Sequence, residues 1–138
     1  MHRSTSLAPH ALRLNPGDDL RQSLLTIAVN QSIHAGFILS AIGSLTQAAI
    51  RYADQPTPTI LPGRFEILAL SGLFSQHGIH LHMAIADHTG RTIGGHVCDG
   101  CLIYTTAEIV YGECQGIVFD RQFDPQTGFI ELAIHHNT

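Results

Sequence analysis

The chain has 138 residues, 44% of them hydrophobic and 13% charged, a length that closes one core and a balance that excludes a disordered chain. Seven arginines, scattered singly and with no lysine beside them, stand against eleven acids for a net charge of −4, which leaves no basic stripe of the kind that holds duplex DNA. No apolar run approaches the roughly 20 residues of a membrane-spanning helix, and residues 1–15 lack the apolar core of a signal peptide, so a cytoplasmic protein with no membrane partner is expected.

Residues 1–9 are expected to form a flexible N-terminus ahead of a single domain over 10–138. Residues 10–14 alternate like a short strand, and Asn15, Pro16, Gly17 and Asp18 make a turn that leads into a helix. Asp18 and Asp19 place negative charge where the unpaired amides and the dipole of a helix start favour it. Leu20, Leu24, Ile27, Ala28 and Gln31 then share one helical face, so a helix over 19–31 packs its apolar stripe on a sheet. Strand-like runs follow at 35–41, 47–53, 65–74, 79–87, 91–97, 106–113, 117–123 and 129–134, most of them parted by Gly, Pro or Asp. Residues 55–63 read as the longest loop, and Asp124-Pro125-Gln126-Thr127-Gly128 as a turn before the last strand. Short connections between successive strands and a single helix give an α+β expectation: a largely antiparallel β-sheet with one main packed helix, in one compact domain.

Histidine is the residue in excess, ten in one small chain, and the densest chemistry lies between Ile79 and Cys101. In a strand, His80 and His82 point to the same face. The next segment, Asp87-His88-Thr89-Gly90-Arg91, suits a three-residue loop with Gly90 in the left-handed position. Pairing Asp87 with Arg91 then sets His82 opposite His96 and His80 opposite Cys98 on one side of the sheet, so three histidines converge. Gly94 and Gly95 remove side chains where a ligand or another backbone must come close. Neutral imidazoles bind zinc and similar divalent ions, and three protein ligands leave a coordination position open, so His80, His82 and His96 form the candidate metal site, with zinc the favoured ion. Equally, a His-x-His pair on a strand is an ordinary half-buried feature.

Glu108 is the candidate general base, although an alternating strand equally turns it to solvent. Cys98 and Cys101 have Cys-x-x-Cys spacing without a second pair. With Cys114 they read as reduced thiols, Cys101 as a small buried residue and Cys98 as a neighbour of the histidines. His77, His88, His135 and His136 read as solvated residues of loops and tail.

Gly63-Arg64-Phe65-Glu66-Ile67-Leu68 followed by Leu70-Ser71-Gly72 resembles the signature of the plant and prokaryote conserved (PPC) domain. His80-Leu81-His82, Ala86-Asp87, Gly90-Arg91, Gly94-Gly95-His96, Gly100-Cys101 and Thr105-Thr106-Ala107-Glu108 are similar to its prokaryotic branch, as are Pro16-Gly17-Asp18-Asp19-Leu20 and Gly36-Phe37. The resemblance implies a compact domain with a mostly antiparallel sheet and a packed helix, assembled as a homotrimer and, in prokaryotes, carrying the three-histidine cluster. It also implies a DNA-binding or regulatory role, because the plant relatives, the AT-hook nuclear-localized proteins, join this domain to peptides that enter the minor groove. This chain has no Arg-Gly-Arg-Pro hook. The segment from Gly63 to Leu68 serves protein contacts in the plant relatives; here it reads equally as an apolar central strand in which Glu66 is the exception.

Three classes of function follow: a DNA-binding regulator, a metal-dependent enzyme acting on a small molecule, and an oligomeric protein-interaction module with a structural metal. A carboxylate beside an open metal position favours the enzyme, whereas a fourth protein ligand favours structure.

Overall fold

The computed structural model describes residues 1–137, so Thr138, the last residue of the expected domain, lies outside the described residues. Strand β1 spans Leu7–Leu14. It starts earlier than the alternation predicts, and the chain is already tied down before it, the Thr5 amide donating to the Gln115 carbonyl at 2.9 Å. Helix α1 spans Leu20–Asn30, within a residue of the expected bounds.

Asp19 is the helix N-cap. One of its carboxylate oxygens accepts from the Gln22 amide at 3.0 Å and the other from the Gly100 amide at 2.6 Å, so a single side chain caps the helix and pins it to the loop after residue 97. Leu20, Leu24 and Ala28 are fully buried, and burial of each leucine contributes about 1.5–3 kcal/mol. Ile27 only lines the edge of this face, and Gln31 is an exposed C-cap.

The remaining strands are β2 (Gly36–Arg51), β3 (Thr59–Ser75), β4 (Gly78–Ala86), β5 (Thr92–Val97), β6 (Leu102–Cys114), β7 (Ile117–Asp124) and β8 (Phe129–His136). Six strands form one sheet in the order β1-β6-β2-β3-β4-β5, and β2 also pairs with β5. Every strand pairing is antiparallel. One 11-residue helix accompanies eight strands among the described residues, so the domain is the largely antiparallel β-sheet with one packed helix that was expected, more β-rich than the α+β label implies.

Three boundaries differ from the expectation. The runs at 35–41 and 47–53 are one strand, β2, which passes through Gly43 with register shifts against β6 on both sides of it. Gly43 has a φ of +156°, and a Cβ there would overlap the Thr106 carbonyl, so the glycine marks a bend in a continuing strand and not its end. Likewise β3 begins inside the expected loop over 55–63, with Pro62 opposite Gln47. The last two strands form a separate two-stranded sheet, attached where the Ser75 hydroxyl donates to the Phe119 carbonyl at 2.6 Å and the Phe119 amide to the His34 carbonyl at 2.8 Å. His135 and His136 therefore lie in β8, where a tail was expected.

Along β4 the period of two is strict. Ile79, Leu81, Met83 and Ile85 are buried in the main core, which leaves His80 and His82 on the opposite, exposed face.

Candidate metal centre

The hairpin that carries the histidines has the predicted geometry. The Asp87 amide donates to the Arg91 carbonyl at 3.0 Å, the Gly90 amide donates to the Asp87 carbonyl at 2.9 Å, and Gly90 has a φ of +82°. The Asp87 carboxylate also accepts from the Thr89 hydroxyl and from the amides of Thr89 and Arg91, which holds its pKa below the usual carboxylate value. His82 stands opposite His96.

The expected pairing of His80 with Cys98 does not occur. Past His96 the chain leaves β4 for β2, Arg51 pairs with His96 and Ile50 with Val97, and the Cys98 amide donates to the Ala49 carbonyl at 3.0 Å. His80 instead has Leu73 of β3 as its neighbour in the ladder. The three rings still meet, because His80 and His82 share a face and His96 reaches it from the adjoining strand.

One ring nitrogen from each of His80, His82 and His96 lies within 4.8 Å of the others. The Nε2 atoms of His80 and His82 are 3.1 Å apart. Tetrahedral zinc with bonds of about 2.0–2.1 Å requires nitrogens about 3.3 Å apart, so the His80–His82 pair already lies near that spacing, and the His96 nitrogen is no more than 4.8 Å from either. His96 Nδ1 is buried with no hydrogen-bond partner among the described residues, at a cost of about 1–3 kcal/mol that coordination through that atom would remove. The donor set and the orphaned nitrogen fit a divalent ion.

Burial, the nearby Arg51 guanidinium and the other two imidazoles push the His96 pKa down to about 4. Burial, then His82 and Arg121, lower that of His80. Both rings are therefore neutral near pH 7, the form that donates a lone pair to a metal.

The glycines serve the backbone. A Cβ on Gly94 would meet the Met83 carbonyl oxygen at 2.5 Å, and one on Gly95 the Arg51 carbonyl oxygen at 2.8 Å, so these residues let β5 sit tightly between β4 and β2.

Two clefts open beside the histidines. The smaller, about 160 Å³, lies between Ser71, Gly72, His80, His82 and Arg121. The larger, about 610 Å³, is bounded by Arg21, Arg51, Arg121, His80, His96 and Glu131, with Ile79, Phe129 and Ile130 as its apolar wall. No sequence signal marked these arginines, which come from the helix, β2 and β7 and are 30 or more residues apart. Glu108 stands on β6 between Arg13 and Ile42, exposed, and lines neither cleft; the carboxylate at the larger one is Glu131.

Cys101 is buried against β2, its Sγ 3.3 Å from the Ala49 amide, and burial raises its thiol pKa to about 11, the state of a packed residue and not of a nucleophile. Cys98 bonds weakly to the His96 carbonyl, 3.8 Å away, and offers no donor atom to the three-histidine group. Of the outlying histidines, His88 is exposed and His77, also exposed, lies on the rim of the larger cleft, while His135 is 3.5 Å from the Asp120 carboxylate.

Residues 1–115 match the Plants and Prokaryotes Conserved (PCC) domain. This chain belongs to that family. It is the PPC domain that the motifs resemble, and the match ends just before β7. Among curated relatives, the bifunctional protein GlmU of a Synechococcus strain is 55% identical over 94% of the chain, which spans only 21% of that protein. The AT-hook motif nuclear-localized protein 13 of Arabidopsis thaliana is 37% identical over 69% of the chain, with 24% of its own length covered. The chain thus spans under a quarter of the curated PPC relatives named here. Among solved structures, a hypothetical protein from Salmonella cholerae-suis has a TM-score of 0.96 and 37% identity with both chains covered in full. A metal-containing protein from Archaeoglobus fulgidus has a TM-score of 0.81 and 29% identity over 96% of this chain and 99% of its own.

Proposed function

We propose that this PPC domain is a metal-binding module in which His80, His82 and His96 hold one divalent ion, zinc by preference, within a homotrimer. The convergence of three ring nitrogens within 4.8 Å on one sheet face carries this reading. The likeness to the metal-containing protein of Archaeoglobus fulgidus supports it. Such an ion would supply Lewis acidity to a ligand atom placed in its open position. The chain's own residues orient what enters: the arginines wall the adjoining cleft, Glu131 offers an acceptor, and Phe129 and Ile130 shed water from one side. An enzyme acting on a small molecule is thereby favoured over a purely structural metal, for which a fourth protein ligand is needed.

The trimer rests on the family resemblance and on apolar side chains that one chain leaves open. Leu39, Ile42, Leu68 and Val110 are 38–57% exposed on the neighbouring strands β6, β2 and β3, a patch that a second copy would cover. DNA binding or regulation is the second reading, supported by the likeness to the AT-hook motif nuclear-localized protein.

The deciding experiment is elemental analysis of chelator-treated, metal-reloaded protein. Wild type takes up one zinc per chain and H82A close to none, with the same circular dichroism, because His82 projects from the exposed face and its truncation opens no core cavity. Equal metal in the two proteins, or none in wild type, would end the reading.

A further inference from the structure

Arg121 is a half-buried cation whose guanidinium makes no hydrogen bond or ion pair among the described residues. The nearby carboxylate, Glu131, does not neutralise it by contact, and instead accepts from the Thr127 hydroxyl at 3.0 Å. The position of Arg121 is built. Gly78 has a φ of +152°, and a Cβ there would stand 2.9 Å from the Arg121 Cγ, so a bare backbone seats the stem of the side chain. From that seat Arg121 borders both clefts, with His80 beside it in each.

Arg51 and Arg21 border the larger cleft from other elements. Arg21 is already paired with Asp99 at 2.9 Å, whereas Arg51 gives one N–H to the Gln55 carbonyl at 3.3 Å and keeps its remaining donors. Arg51 and Arg121 therefore face one carboxylate across a cleft in a protein whose overall charge is −4. Cations gathered against the sign of the whole chain, one of them half-buried without an acceptor, lack a negative partner that an anionic ligand supplies. The volume of about 610 Å³ suits a small molecule, and Phe129, Ile130 and Ile79 suit an apolar body on it. Arg121, Phe129, Ile130 and Glu131 all lie beyond the residues that match the family, so this wall is supplied by the C-terminal hairpin.

We propose that the larger cleft binds a small molecule with a carboxylate or phosphate group on an apolar body, the oxyanion held by Arg121 and Arg51 beside His80 and His96. This names the ligand class of the site read above as metal-binding. It rests on that reading for the role of the histidines, while the arginine contacts stand without it.

The test is isothermal titration calorimetry of the full chain, zinc-loaded and metal-free, with phenyl phosphate, benzoate and benzyl alcohol as probes. Wild type should bind at least one of the two anions, and the stronger one identifies the oxyanion; benzyl alcohol should bind at least about tenfold more weakly. R121Q and R51Q should each weaken the anion by about tenfold or more, with unchanged circular dichroism and unchanged zinc content. If R121Q does not fold, R51Q carries the same comparison. Anion binding unaltered in the variants, benzyl alcohol bound as tightly as the stronger anion, or no anion bound at all would overturn the proposal. Zinc uptake without anion binding sinks this inference and spares the metal reading; arginine-dependent anion binding without zinc uptake does the reverse.

Discussion

His96 sits where a proton is hard to hold, since burial and the neighbouring Arg51 bring its pKa from 6.5 to about 4. Between those values the unfolded chain binds the proton and the folded chain does not, so stability present above about 6.5 is lost as pH falls towards 4 and levels off below it. For metal-free protein, the urea midpoint should decline through this window, and H96Q should flatten the decline. An H96Q slope equal to that of wild type would show that other groups, among them His80, carry the acid sensitivity. In the folded protein the ring takes up a proton only as pH falls to about 4 and below, so protonation should release zinc there. At this scale the three candidate ligands were legible in the sequence, because a two-residue period and one tight turn are enough to align His80, His82 and His96. The arginines were not. Arg21, Arg51 and Arg121 share no period or spacing, and only the packing of the C-terminal hairpin against β4 brings Arg121 to the histidines.

At the scale of elements, the hairpin β4–β5 was readable because Asp87 and Gly90 dictate its turn, whereas β2 was broken in two because a glycine in a bent strand looks like a glycine at its end. The extrapolated pair His80 and Cys98 failed since a ladder read from one turn carries no information about a third strand claiming the same residues. Gly72 makes a related demand. Its φ is +147°, and a Cβ would overlap the His80 carbonyl, so β3 can run beside β4 at the candidate metal site only through a glycine. G72A should cost about 1–3 kcal/mol of stability by urea unfolding and should weaken zinc binding as His80 is displaced. Wild-type stability in that variant would mean that β3 shifts freely, and the close approach would lose its meaning for the site.

For the whole molecule, the exposed apolar patch on β6, β2 and β3 and the low charged fraction set the expectation of a trimer, which sedimentation equilibrium at micromolar concentration would report directly; a monomer there would contradict it. The trimer would carry three copies of a −4 charge and no lysine, so duplex DNA should bind weakly in fluorescence anisotropy and be released at physiological salt. Sub-micromolar binding with a steep salt slope would instead reveal arginines of several subunits gathered on one face. The turn of β5 onto β2 matters beyond the three histidines. By pairing with Arg51 and Ile50, the end of β5 withdraws its backbone from any stray strand, and the six-stranded sheet keeps β1 as its one fully open margin. That margin carries Pro9, which has no amide to offer, and the charged Arg13, features that blunt an edge against recruiting another chain. The same closure that steadies His96 thus leaves the sheet poorly suited to seed a fibril.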